Sequence, residues 1–454
     1  MSPTFSRSSK RRGKGRRAIH PWYRALNRRQ WYTLFAANLG WLFDGYETYA
    51  LILTVNLTFQ QLLPAARQQA IPFYSGVTIA VTLLGWGAGG IVGGIAADYL
   101  GRKRTLMYSI LAYSLVTGFT ALAWSWTSFI LLRFIVGLAL GSEWGTGTSM
   151  VAEMWPNEHR GKGAGLMQCG LGIGFFIASV VWLFVGELGP SAWRWMYVIG
   201  VLPALATRWI RRRIDEPEQW VESNRRRREA VAAKRRGDRL TDSAQQLTRL
   251  TLVDLFTDRR TRQLTIIAFL MSTSTTLGWW GISSWVPPYI ASVAAKQGLS
   301  AARWASLAGM SYNVGAVLGY VLLGFCADAW GRKPVVIAWF ALALLLTPVL
   351  FLWTHNLSLL LLVCAINAIF SLGQYTWCST WLPEVYPTRI RATAVSFAFN
   401  APRFVAFVGP LIAGTLITYF GDYGRAAVPV SLIYVLGIVA ALFFPETRGK
   451  PLPE

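Results

Sequence analysis

The sequence has few charged residues and few reactive ones. Only 14% of its 454 residues are charged and 54% are hydrophobic, a composition too apolar for an ordinary soluble enzyme. Its four cysteines lie within or at the ends of apolar runs and lack metal-ligand spacing, so neither disulfides nor a metal site is expected. No nucleophile, metal or nucleotide constellation lies within the apolar runs, which argues against an enzyme and against a bound cofactor.

Long apolar runs, by contrast, are abundant. A helix needs about 20 residues to cross roughly 30 Å of hydrocarbon, and twelve runs of about that length occur. They lie at 32–54, 74–97, 105–124, 127–149, 164–185, 193–210, 264–286, 305–327, 335–353, 358–380, 393–418 and 427–444. We therefore predict an all-α membrane protein with twelve transmembrane helices.

Acids are also scarce: the chain has 21 acids against 44 lysines and arginines, a net charge of +23. With the N-terminus in the cytoplasm, 37 of the 44 basic residues fall in the two tails and the cytoplasmic loops. This bias predicts cytoplasmic N- and C-termini in a cytoplasmic (inner) membrane, and it accounts for the charge without nucleic acid as a partner. The basic N-terminus leads straight into a full-length apolar run, so no cleaved signal is expected.

Two charged motifs occur twice in the chain. GIAADYLGRKRT after the second run returns 230 residues later as GFCADAWGRKPV, and EMWPNEHRG returns 231 residues later as EVYPTRIRA. The pair EPEQW and PETRG, at 216–220 and 445–449, echo each other as well. Different motifs displaced by nearly the same distance predict two six-helix bundles related by a pseudo-two-fold axis along the membrane normal.

The predicted organisation follows from this repeat and from the charge distribution. It consists of a basic cytoplasmic tail at 1–30, an N-terminal bundle at 31–210, a cytoplasmic central loop at 211–262, a C-terminal bundle at 263–446 and a cytoplasmic tail at 447–454. The central loop is basic and polar, so it is expected to be a disordered linker.

Together with R-x-x-x-G-x-x-x-G at 133–141, these motifs resemble the major facilitator superfamily over about residues 30 to 450. The resemblance implies a secondary transporter in which two bundles rock about a central site while the charged motifs open or close a cytoplasmic gate. The gate residues would be those of the paired motifs, namely Asp98, Arg102, Lys103, Glu153, Arg160, Asp328, Arg332, Lys333, Glu384 and Arg391.

Three acids, Asp44, Glu47 and Glu143, lie well inside predicted spans. An ionised side chain at the bilayer centre costs about 3 kcal/mol or more, so such residues indicate function. Asp44 and Glu47 are one turn apart, and two such carboxylates cannot both ionise cheaply, so at least one should bind a proton when enclosed. No histidine is central, which leaves carboxylates as the proton carriers. The structural alternative is that these acids only hold helices together through Arg133 or Arg403.

The superfamily resemblance gives Arg133 a role in proton coupling as the partner of an acid on the first helix. Glu143 follows it by ten residues, about 15 Å along the helix axis, where it could relay a proton or help to close the gate.

Arg403 lies near the middle of the eleventh span, in a half that has no buried acid. An arginine can bind a carboxylate bidentately, and Asn400 could add an amide, so the pair is a candidate site for an anionic substrate. The alternative is that Arg403 bonds to helix ends across the bundle. Aromatic residues of the same half could wall a cavity for a planar or ring-bearing substrate, or simply pack; they are Trp279, Trp280, Tyr375 and Trp377.

The first span resembles the D-G-[FY]-D signature of aromatic-acid:proton symporters, with Glu47 in place of the second aspartate, and the stretch after Arg133 resembles sialate and carboxylate:proton symporters. We predict a monomer, embedded in the bilayer, that imports a small organic anion together with protons. A sugar, polyol or vitamin symporter is the alternative, although the seventh span lacks the glutamine-rich pattern of sugar porters. A transporter-derived sensor whose central loop binds a partner is a third reading.

Overall fold

The computed structural model describes residues 21–409, 416–417 and 419–453. Most of the predicted basic tail and part of the eleventh predicted span therefore lie outside the described residues. Within the described ranges the chain forms helices and short connecting turns and contains no β-strand, in agreement with the all-α prediction.

Eight α-helices precede the central loop. They are α1 (Arg28–Leu62), α2 (Ile71–Leu100), α3 (Arg102–Thr120), α4 (Trp126–Met154), α5 (Arg160–Gln168), α6 (Gly170–Val185), α7 (Ala192–Ile199) and α8 (Pro203–Arg213). The central segment forms three more, which are α9 (Glu218–Arg236), α10 (Asp242–Leu247) and α11 (Thr251–Thr257).

Ten α-helices whose bounds lie within the described ranges follow the central segment. They are α12 (Arg259–Gly281), α13 (Val286–Lys296), α14 (Ala301–Trp330), α15 (Arg332–Pro348), α16 (Leu357–Ser371), α17 (Thr376–Val385), α18 (Arg391–Asn400), α19 (Arg403–Ala406), α20 (Tyr423–Ser431) and α21 (Ile433–Phe443).

Local sequence determines where several helices begin and end. Asn27 caps α1 by accepting from the Gln30 amide at 3.0 Å, and the Gln30 side chain accepts in return from the Asn27 amide at 2.8 Å. Gly101 and Gly331 have φ angles of 112° and 102°, which other residues rarely adopt, and each separates two long helices at a repeated motif.

Seven helical stretches in the described ranges are long and apolar enough to cross a membrane. They are Ala65–Leu100, Trp126–Met154, Asn157–Leu188, Arg303–Trp330, Arg332–Trp353, Leu357–Val385 and Tyr423–Phe443. Among the other predicted spans, the first contains α1 with its two acids, the sixth is divided between α7 and α8, and the eleventh is described only in part.

Helices from the two halves of the sequence contact one another in a symmetric way. α2 packs on α18, and α14 packs on α5, so each long helix before a G-R-K motif meets the short helix that follows the other half's E-x-x-P motif. Within the first half, α2 and α4 approach closely because Gly89 and Gly141 face the partner's backbone, where a Cβ atom would overlap it.

The central segment is not a disordered linker, and that expectation is wrong. It forms α9, α10 and α11, and α9 is anchored at the contact between the two halves. The Trp220 indole donates to the Asp98 carbonyl at 3.1 Å, and Arg227 donates to the same carbonyl at 2.7 Å and to the Arg389 carbonyl. A segment of this composition is expected to bury too little surface to offset the entropy that it loses on ordering. Burial of Trp220 and Arg227 offsets that loss here.

Candidate functional site

The two acids of α1 have different partners. Glu47 forms a buried ion pair with Arg133 of α4. Arg133 also donates to the Thr120 hydroxyl at 2.6 Å, and its guanidinium lies 4.8 Å from the centre of the Tyr197 ring. Glu47 is therefore neutralised by a cation that the surrounding side chains hold in place.

Asp44 faces Glu143 instead. The two buried carboxyl groups interact with each other, and no hydrogen-bond donor from the described residues reaches any of their four oxygens. Glu143 fits against α1 because Gly40 leaves room, and a Cβ atom at that position would overlap its carboxyl group. Two enclosed carboxyl groups without a paired cation are suited to sharing one proton.

The Tyr113 hydroxyl lies in the electrostatic field of all three acids. No signal in the sequence distinguishes it, since tyrosine is common in transmembrane helices.

Arg403 approaches this cluster from the second half of the chain. Its guanidinium donates to the Phe399 carbonyl at 2.8 Å and to the Asn400 side chain at 3.0 Å. It lies 4.5 Å from the centre of the Phe399 ring and 4.7 Å from that of Trp86 on α2. Asp44 interacts with Arg403 electrostatically, but within the described ranges no carboxylate forms an ion pair with it.

Aromatic rings surround Arg403 and the acids. Trp279 lies 5.5 Å from Tyr375 and 5.1 Å from Trp280, measured between ring centres, so three of the predicted cavity residues come together. Trp377 is elsewhere, fully buried, and donates to the Thr275 hydroxyl at 3.0 Å within its own half.

Three further tryptophans, Trp41, Trp86 and Trp144, come from the first half and contact this site. Trp144 stacks on Phe399 with ring centres 3.5 Å apart, and Trp41 lies 6.2 Å from Phe399, Trp86 and Trp144 alike. The sequence alone does not single them out, because most membrane tryptophans pack or lie at interfaces.

The space beside Glu47 is small. A cavity of about 20 Å³ lies between α1, α2 and α4, enough for about one water molecule and not for an organic ion. Its lining includes Glu47, Thr48, Thr82, Trp86, Arg133 and Trp280.

Eight of the ten predicted gate residues form two buried charge networks, together called the latch. In the first, Arg102 pairs with Asp98 at 2.9 Å and with Glu153 at 3.0 Å, and Glu153 pairs across the halves with Arg391 at 2.8 Å. Asp98 also accepts from the Thr393 amide at 2.9 Å, at the start of α18. One carboxylate thus bridges an arginine from each half.

The second network repeats the first with the halves exchanged. Arg332 pairs with Asp328 at 3.1 Å and with Glu384 at 2.8 Å, and Glu384 pairs across the halves with Arg160 at 3.1 Å. Asp328 accepts from the Lys162 amide at 2.9 Å, at the start of α5. The latch joins the two halves on the side of the molecule where the motifs lie, called here the motif side.

The glutamates of EPEQ and PETRG have matching roles inside their own halves. Glu216 accepts from the Lys103 and Arg104 amides at 3.1 and 3.4 Å, and Glu446 accepts from the Arg332 and Lys333 amides at 3.1 and 2.9 Å. Each glutamate therefore caps the helix that follows its G-R-K motif, where a carboxylate is favoured by the helix dipole.

Lys103 and Lys333 are not part of the latch. Lys333 donates from Nζ to the Leu442 carbonyl at 2.9 Å.

Comparison with known proteins decides the family. Residues 33–454 match the model of the sugar (and other) transporter family. The chain belongs to this family. It is a multi-pass membrane transporter of the major facilitator superfamily and not an enzyme.

Two relatives of this transporter are named for carboxylic acids. A cis,cis-muconate transport protein from Acinetobacter baylyi is 28% identical and aligns with 83% of this chain and 86% of its own length. The sialic acid transporter NanX from Escherichia coli is 26% identical over 91% of this chain and 93% of its own.

The solved structure of the proton:xylose symporter XylE, bound to 6-bromo-6-deoxy-D-glucose, has the same fold. Its TM-score is 0.75 at 22% identity, and the match covers 93% of this chain and 98% of that one.

Proposed function

We propose that this transporter imports a small organic anion, a carboxylate or aromatic acid, together with protons. The observation that carries the proposal is the pairing of Asp44 with Glu143 next to Arg403. Two buried carboxyl groups that lack a donor can take up and release a proton, and a buried arginine without a paired carboxylate can receive an anion.

Five residues divide the coupling between them. Asp44 and Glu143 hold the transported proton, and the Tyr113 hydroxyl lies in their electrostatic field. Glu47 and Arg133 already neutralise each other, and their ion pair joins α1 to α4. The sequence singles out three acids as candidate proton carriers. This assignment reduces them to two, Asp44 and Glu143.

The substrate carboxylate would bind Arg403, with Asn400 adjacent. The Asn400 oxygen holds the guanidinium, and the rings of Trp86 and Phe399 cover it, so its remaining donors are preoriented. Muconate and sialic acid, the compounds named for two relatives, are both carboxylic acids. Trp279, Trp280 and Tyr375 would wall the organic part of such a substrate.

The proposed architecture is a monomer of twelve transmembrane helices in two six-helix bundles, with both termini in the cytoplasm. The motif side is then cytoplasmic, and the latch closes the inner gate. In the cycle, the carboxyl pair protonates from outside and the anion binds Arg403. The bundles then rock, the latch opens, and proton and anion leave inward.

A sugar symporter is the second candidate. The fold shared with XylE and the family description favour it. Neutral sugars have no charged group for Arg403 to bind. Uptake of a sugar should therefore not depend on Arg403, whereas uptake of an organic anion should.

Uptake by proteoliposomes tests the proposal. With an acidic exterior, we expect accumulation of cis,cis-muconate or N-acetylneuraminate but not of xylose, and an uncoupler should abolish it. Arg403→Gln should lower uptake at least tenfold, since a charge-assisted pair is worth roughly 1.5–3 kcal/mol.

The coupling residue is tested in the same vesicles. Asp44→Asn should lose the dependence on the pH gradient while still exchanging substrate across the membrane. Glu187→Gln removes an exposed acid and serves as the control. Gradient-driven uptake that survives in Asp44→Asn and Glu143→Gln, or xylose uptake that is indifferent to Arg403→Gln, contradicts the proposal.

A further inference from the structure

A groove opens on the motif side between the first turns of α3 and the middle of α8. Three cations stand at its mouth, Lys103 and Arg104 from α3 and Arg208 from α8. Within the described ranges, none of the three side chains forms a hydrogen bond or an ion pair.

The acids beside this groove are already engaged. Glu216 accepts from the amides of Lys103 and Arg104, so those backbone donors are not available to a ligand. Asp215 pairs with Arg29 at 3.6 Å. The groove therefore keeps an excess of positive charge on side chains alone.

The repeat-related position in the second half differs. There Lys333 donates to the Leu442 carbonyl, and Pro334 occupies the place that corresponds to Arg104. Both halves contribute equally to the latch, but among the described residues only the first half has these free cations. The charge at the α3–α8 groove is therefore not required by the latch.

The groove continues from its charged mouth along an apolar surface. Tyr108 and Leu111 line it and are exposed, and the exposed Leu115 follows on the same face of α3. In a membrane protein, exposed apolar side chains next to interfacial cations match the two parts of a phospholipid.

We propose that the α3–α8 groove binds one anionic phospholipid. The phosphate lies between Lys103, Arg104 and Arg208, and an acyl chain follows Tyr108 and Leu111 along α3. A free anion would use only the cations, whereas an intact lipid also covers the apolar wall.

Native mass spectrometry of the purified full-length protein tests this site. We expect one tightly retained phosphatidylglycerol, with phosphatidylcholine of the same acyl chains held more weakly. The double variant Arg104→Gln/Arg208→Gln should weaken phosphatidylglycerol binding roughly 10- to 30-fold, the factor expected for two interfacial cations.

The matched control is Arg235→Gln/Arg239→Gln, which removes the same charge from exposed side chains outside the groove, and it should leave binding unchanged. Melting temperatures confirm that both variants fold. The proposal is overturned if the control loses as much affinity as the groove variant, or if phosphatidylcholine binds equally well. It is also overturned if soluble glycerol phosphate binds as tightly as the lipid, which would indicate a free-anion site.

Discussion

Asp44 and Glu47 lie one turn apart on α1, but the groups that they face differ in charge. Glu47 balances the buried charge of Arg133, whereas Asp44 faces another carboxyl group. Removing one partner of a buried ion pair costs about 3–5 kcal/mol because the other charge is left uncompensated. Removing one of two facing carboxylates relieves a repulsion. The same kind of substitution should therefore have opposite effects at the two positions.

We expect Glu47→Gln to lower the melting temperature and Asp44→Asn to raise it. Thermal unfolding of the purified protein measures both effects, and equal destabilisation by both substitutions would show that the pairing is misassigned.

The sequence reveals that these acids are unusual but not which of them interact. An acid inside an apolar run is visible because its cost is local. Its partner depends on how two helices are rotated about their axes, which no local pattern encodes. Glu143 meets α1 through the space left by Gly40, and Trp86 reaches Arg403 from the other half of the chain. Such contacts arise only in the folded protein.

At the scale of elements, α9 shows how composition can mislead. Its sequence is basic and polar, which is typical of a disordered segment. Two side chains nevertheless anchor it: Trp220 and Arg227 bind the carbonyl at the end of α2, and Arg227 reaches across to the carbonyl of Arg389. Because this anchor touches both halves, α9 should be ordered only while the motif side is closed.

Hydrogen–deuterium exchange of the full-length protein can test the anchor. Arg227→Gln should increase exchange across Glu218–Arg236, because a buried guanidinium that makes two hydrogen bonds contributes roughly 1.5–3 kcal/mol. Arg228→Gln is the matched control, since its side chain is exposed on the same helix. Similar exchange in the two variants would mean that Arg227 does not hold α9 in place.

At the scale of the whole molecule, the repeat in the sequence has a direct physical counterpart. Each half contributes an aspartate that caps a short helix of the other half and a glutamate that joins two arginines across the contact. The displacement of 230 or 231 residues predicts related halves, but it does not predict that the motifs cross between them. That arrangement depends on the closed conformation, in which α2 meets α18 and α14 meets α5.

Because Glu153 and Glu384 each bridge the halves, neutralising either should favour opening of the motif side. Loss of one charge-assisted bridge of roughly 1.5–3 kcal/mol shifts the equilibrium between the closed and open motif side by about 10- to 100-fold.

Spin labels at Glu158→Cys and Arg448→Cys, in a background without the native cysteines, report the separation of the halves by pulsed electron paramagnetic resonance. The distance distribution should gain a longer component in both Glu153→Gln and Glu384→Gln. In Glu216→Gln it should stay as in the wild type, because Glu216 caps α3 within its own half. If only one bridging variant opens the motif side, the two networks are symmetric in geometry but unequal in energy, and the latch is then controlled from one half.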